Sequence, residues 1–138
     1  MKKRGTSMDI LIQINSGNLD TIIPGLIMAT RLKNEGADVS VSFQWRALIA
    51  FAEGHFEFSP SVARYATKIN KNAEKMGLPI DPMKFLEGAK ADGIPLYGCA
   101  VEAAICGIKE KIPQEIELME ESDITNFLLE AKKVISGF

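Results

Sequence analysis

Gly93-Ile94-Pro95-Leu96-Tyr97-Gly98-Cys99-Ala100-Val101-Glu102-Ala103-Ala104-Ile105-Cys106-Gly107-Ile108 is the stretch that decides the fold. Residues 94–98 form a short apolar run of the kind found in strands buried on both faces. Residues 100–106 follow as a run of mostly helix-forming residues, and Gly107 supplies the stop. A buried strand that passes straight into a helix is half of a β-α-β unit in a parallel sheet. The same junction puts Cys99 at the start of the helix, where backbone N–H groups lack partners and present partial positive charge. A cysteine in such a place has its thiolate favoured over its thiol and becomes a nucleophile.

The pattern repeats outward from this unit. Residues 8–14 (MDILIQI) read as a strand, broken by Asn15-Ser16-Gly17-Asn18, and residues 20–35 carry apolar side chains at helical spacing before Gly36. Residues 38–43 (DVSVSF) alternate as a second strand and lead into a helical turn or two over 45–51. A polar helical run over 59–76, a short helix over 83–91, a last strand over 115–119 and a final helix from Ser122 or Asp123 to about Ser136 complete the order. The segment 51–80 reads as a lid over the thiol or an oligomer arm. Strands alternating with helices predict a three-layer α/β/α domain with a mainly parallel sheet of four or five strands. At 138 residues the chain is one domain, with residues 1–7 a flexible tail and 8–138 the fold.

Composition excludes several classes. A net charge of -2 with intermixed signs does not make a nucleic-acid surface, and the basic run Lys2-Lys3-Arg4 is short. No apolar stretch is long enough for a membrane span or follows the basic start as a signal core, so a cytoplasmic protein is expected. Cys99 and Cys106, at opposite ends of one helix, would have Cα atoms about 10 Å apart, beyond the roughly 7 Å limit for a disulfide. With one histidine, His55, neither a zinc site nor a Ser-His-Asp triad is supported, and no metal is expected.

In open parallel sheets, chemistry collects at the carboxyl ends of the strands. Asn15 and Ser16, the Gln44-Trp45-Arg46 corner and Cys99 all fall there and are expected to converge. Cys106 reads as packing, Glu102 as a first-turn carboxylate facing the helix dipole, and His55 as a solvated loop residue. Trp45 with Phe43, Phe51, Phe56 and Phe58 reads as core or interface, too apolar for a free surface, which favours a homo-oligomer. Ser16-Gly17-Asn18 and Thr21 lack the hydroxyl-rich run of a flavodoxin phosphate loop and suffice as a helix cap, so no organic cofactor is expected.

The segment 93–108 resembles the DsrE/DsrF-like sulfur-relay family, in its cysteine at the end of a late strand and Gly107-Ile108 eight residues on. The Ser42-Phe43-Gln44-Trp45 corner is similar to the aromatic turn of the DsrE-like subgroup once labelled predicted peroxiredoxins. The resemblance implies a small parallel α/β fold and assembly into oligomers, a trimer or other small ring. It also implies a cysteine that accepts sulfane sulfur or thiosulfate and exchanges it with a TusA-like carrier or a rhodanese. Of the site residues only Cys99, the nucleophile, carries over from the resemblance; the N–H groups of Ala100, Val101 and Glu102 at the helix start would cradle the sulfur, and Trp45, Arg46, Asn15 and Ser16 at the strand ends are expected to line the substrate side. Ile105-Cys106 stand where several members have basic residues, so Arg46 or the helix dipole would supply the electrostatic help. A non-catalytic oligomeric binding module and a thiol peroxidase are the alternatives.

Overall fold

The computed structural model describes residues 8–138; the tail expected over 1–7 lies outside the described residues. The chain runs β1 (Ile10–Ile14), α1 (Leu19–Asn34), β2 (Val39–Phe43), α2 (Arg46–Glu53), α3 (Pro60–Ala63), α4 (Ala66–Lys75) and α5 (Pro82–Ala91). Then come β3 (Leu96–Cys99), α6 (Ala100–Ile105), a single 3-10 turn (Lys109–Lys111), β4 (Glu117–Met119), α7 (Glu121–Glu130) and β5 (Lys133–Ile135). Every strand pairing is parallel, in the order β4-β3-β2-β1-β5. This is a three-layer α/β/α, flavodoxin-like architecture.

Alternate residues of a strand face opposite ways, and the two faces bury different clusters. Ile10, Ile12 and Ile14 of β1, with Val39, Val41 and Phe43 of β2, meet Ile22, Leu26 and Ala29 of α1, Leu48 and Phe51 of α2, and Leu86 and Ala89 of α5. Leu11, Tyr97 and Met119 on the other face meet Met8 and Phe127 of α7, with the Tyr97 and Phe127 rings 4.8 Å apart. From β1 to β4 the chain steps one way across the sheet, then returns past β1 to place β5. Parallel crossovers keep one hand, so the reversed step carries α7 to the face opposite α1 and α5. Ser40 and Ser42 also belong to that second face, buried, with hydroxyls that find no hydrogen-bond partner among the described residues.

The final helix differs from expectation. It begins at Glu121, with Glu120 rather than Ser122 or Asp123 as cap, and ends at Glu130 instead of about 136. Ala131 leaves it with extended backbone (φ -64°, ψ 132°), and Lys133, Val134 and Ile135 pair with Ile10, Leu11 and Ile12. The open edge of β1 offers unpaired backbone groups, and a β-branched segment satisfies them better than one more helical turn would. The Lys132 ammonium, 3.0 Å from the Asp9 carboxylate, and the Lys133 N–H, donating to the Asp9 carbonyl at 3.0 Å, pin the junction. The fourth strand starts at Glu117, two residues late, because Ile116 N–H still closes a turn onto the Pro113 carbonyl.

The single helix expected over 59–76 is two, α3 and α4, parted at Arg64 and Tyr65, and α4 buries only Ala73. Its approach is tied to α1. Leu19 N–H donates to the Glu57 carbonyl (2.9 Å), and Ser59 donates to the Asp20 carboxylate from its N–H (2.8 Å) and its hydroxyl (2.6 Å). Burial pushes the Asp20 carboxyl up, but these Ser59 hydrogen bonds prevail and hold it below its ordinary value of 3.8.

Candidate functional site

β1, β2 and β3 are neighbours in the sheet, so Asn15, Gln44 and Cys99 follow one another along its carboxyl edge. Cys99 is the last residue of β3 and the cap of α6, with extended backbone (φ -82°, ψ 118°) and a thiol that bonds to no helix N–H. It is 7% exposed. Its side chain reaches a cavity of about 360 Å³ lined also by Gln44, Trp45, Val101, Glu102, Ile105 and, from α7, Glu121, Ile124 and Thr125. Gly98 beside the thiol allows the close fit of α2 on β3. A methyl group there would lie 2.8 Å from a Leu48 methyl and 3.2 Å from Ile116 and Leu118.

Trp45 is, among the described residues, the one non-glycine with positive φ (36°, with ψ -102°). That backbone region clashes with a Cβ and costs on the order of 1–3 kcal/mol. Its N–H donates to Oε1 of Glu102 at 2.8 Å, so the carboxylate fastens the first turn of α6 to the corner where β2 becomes α2. Glu102, read from sequence as a partner for the helix dipole, therefore has a specific donor as well. Trp45 is 46% exposed at the cavity rim. Phe43, Phe51 and Phe56 instead form edge-on pairs at 5.2 and 5.1 Å within the main core. Trp45 is thus separate from the aromatic cluster to which the sequence joins it.

The remaining candidates lie in different surroundings. Ala100 follows Cys99 directly as the first residue of α6. Arg46 lines a second cavity, of about 190 Å³, with Gly17, Asn18, Glu53, His55 and Glu57, and is absent from the lining around Cys99. His55 Nε2 is 3.4 Å from the Glu57 carboxylate, with its side chain 71% exposed. Asn15 and Ser16 donate their N–H groups to the Phe138 carbonyl at 2.9 and 3.3 Å, and Ser16 Oγ accepts from Asn18 N–H. Cys106 is half-buried against the main core at the end of α6, and both cysteines are free thiols. No residue of 51–80 lines the Cys99 cavity.

Sequence reasoning brings Cys99, Trp45, Val101 and Glu102 to one place, as the structure does. It passes over Glu121, Ile124 and Thr125, whose i, i+3, i+4 spacing marks one face of α7. That face arrives at the thiol only because the last crossover reverses. Among the described residues no cluster of three or more His, Cys, Asp or Glu could hold a metal, and no helix is long and apolar enough to cross a membrane.

No family model matches the sequence, and no curated protein does either. The fold is similar to that in the crystal structure of the ychN protein from E. coli, with a TM-score of 0.68 and 16% sequence identity over 94% of this chain and 99% of that one. The likeness is one of fold.

Proposed function

We propose that the protein is a DsrE-like sulfur carrier or sulfurtransferase in which Cys99 accepts sulfane sulfur and passes it to a thiol of another protein. The observation that carries this reading is the place of the thiol. It sits at a strand-to-helix junction on the carboxyl edge of a parallel sheet and opens into a cavity walled by Trp45, α6 and α7. The resemblance of residues 93–108 to the DsrE/DsrF-like family and the fold shared with the ychN protein support it. In the first step the thiolate attacks the outer sulfur of a donor, a new S–S bond forms, the donor's own S–S bond breaks, and the electron pair leaves with the donor. In the second, a partner thiolate attacks the stored sulfur and Cys99 departs as thiolate. Cys106, packed at the far end of α6, takes no part, so the acceptor is external. A TusA-like carrier or a rhodanese supplies the required thiol.

The reading places the protein in the cytoplasm and in a homo-oligomer, a trimer or other small ring. The exposed apolar side chains at the cavity rim, Trp45, Val101 and Ile105, suit a covered edge. The test is intact-protein mass spectrometry after incubation with a low-molecular-weight persulfide. Wild type and Cys106→Ala are expected to gain the mass of one sulfur atom and Cys99→Ala none. Equal gain in Cys99→Ala defeats the reading.

A further inference from the structure

The charge of the Cys99 cavity has a direction. Two of its walls carry carboxylates, Glu102 from α6 and Glu121 from α7, and among the described residues that line it there is no Lys, Arg or His. The nearest cation in sequence, Arg46, lines the separate cavity with Glu53 and Glu57. Glu102 is also held in place, since one of its oxygens accepts the Trp45 N–H at 2.8 Å, so its charge stays at the site rather than sweeping through solvent. Cys99 is 93% covered, and a donor must therefore come into the cavity to reach it. Walls of one sign around a concave, partly desolvated space focus the field on whatever enters.

We infer, resting on the reading of Cys99 as the sulfur acceptor, that Glu102 and Glu121 are specificity-determining residues. They admit an uncharged or cationic sulfur donor, such as the protonated persulfide of a small thiol or of a protein cysteine, and turn away the free thiosulfate dianion. With such a donor the step balances without an oxidant. The Cys99 thiolate bonds to the terminal sulfur of R–S–SH, the donor S–S bond breaks, Cys99–S–SH forms and R–S⁻ leaves. A dianion meeting the same two carboxylates is repelled by each, and its penalty doubles with its charge.

The charge preference can be read without sulfur transfer. Cationic, neutral and anionic methanethiosulfonates all form a mixed disulfide with a thiolate and release methanesulfinate. Rates at Cys99 in the folded full chain, followed by mass spectrometry with peptide mapping, are divided by those of the same reagents on a free thiol. At low ionic strength the corrected cation-to-anion ratio is expected to be about tenfold, from two carboxylates acting on reagents of opposite charge. Glu121→Gln and Glu102→Gln are each expected to cut that ratio about threefold, the second keeping an acceptor for the Trp45 N–H. A ratio near one, a ratio unmoved by both substitutions, or a Cys99 unreactive to all three reagents overturns the inference. Failure of sulfane donors to load Cys99, with the charge ratio intact, would instead count against the sulfur-carrier reading alone.

Discussion

At most positions, replacing a side chain by glycine costs more than replacing it by alanine, because glycine has more backbone freedom to lose on folding. Trp45 should invert that order. Its backbone, at φ 36° and ψ -102°, lies where any Cβ is crowded and glycine is not. In Trp45→Ala and Trp45→Gly the indole is lost equally, and the residue 45 N–H can still donate to Glu102 in both. Their difference thus isolates the Cβ. Relief of strain is worth about 2 kcal/mol, the middle of the 1–3 kcal/mol range for such conformations. Glycine's ordinary disadvantage against alanine takes back about 0.5–1 kcal/mol. Trp45→Gly should therefore be more stable than Trp45→Ala by about 1 kcal/mol, or roughly 3–4 °C in Tm for a chain of this size. Urea unfolding followed by far-ultraviolet circular dichroism is the assay, because both variants lack the chain's one tryptophan. Equal m-values would confirm that the midpoints report stability. An alanine variant as stable as the glycine one, or more so, would show that the corner relaxes once the indole is gone and that the backbone was never the constrained element.

The Glu102 contact has its own test. Glu102→Ala removes the acceptor for the Trp45 N–H and should cost about 1 kcal/mol, toward the low end for a charged acceptor because the bond is exposed to water. In that variant the fluorescence of the lone tryptophan should become more open to acrylamide, whereas Glu102→Gln, which keeps an oxygen in place, should resemble wild type. A glutamine variant as quenchable as the alanine one would disprove the strap. Asp9 supplies a pH dependence. The Asp38 N–H, followed by the Lys132 ammonium, holds its carboxyl below the ordinary value of 3.8. A carboxyl lowered on folding stabilises the fold above its unfolded value and loses that contribution as pH falls through the folded one. The stability gap between wild type and Asp9→Asn should hence be widest near neutrality and close below pH 3.8. A gap that widens on acidification would contradict the assignment.

The fold was legible in the sequence where periodicity and glycine stops agree. Residues 8–14, 20–35 and 38–43 alternate or recur with the periods of the elements they form, and Gly36 ends α1 where expected. What was not legible depended on long-range geometry. Lys133–Ile135 is too short to announce a strand, and only the unpaired edge of β1 makes it one. Pro60 announces α3, but nothing local marks the break at Arg64 and Tyr65. At the site, Cys99 was readable from its strand-to-helix junction and Glu102 from its spacing. The positive φ at Trp45 was hidden because the signal for that conformation is a glycine, and none is there. Glu121, Ile124 and Thr125 were hidden because their approach follows from the handedness of a crossover, not from any local pattern.

The reversed last crossover has a consequence for who can see the thiol. α7 is the far wall of the cavity, and the same short stretch continues into the edge strand β5, stitched at Asp9 and Lys132. The main core does not draw on α7, since α1, α2 and α5 close it from the opposite face. Detaching residues 121–135 would uncover Cys99, at the expense of the Phe127 contacts of the second cluster and the Ile135 contact with the main core. Small terminal units of this kind open and close at free energies below that of global unfolding. Because Glu121, Ile124 and Thr125 form that far wall, a partner that grips α7 would act on the surroundings of Cys99 with no direct contact to the sulfur.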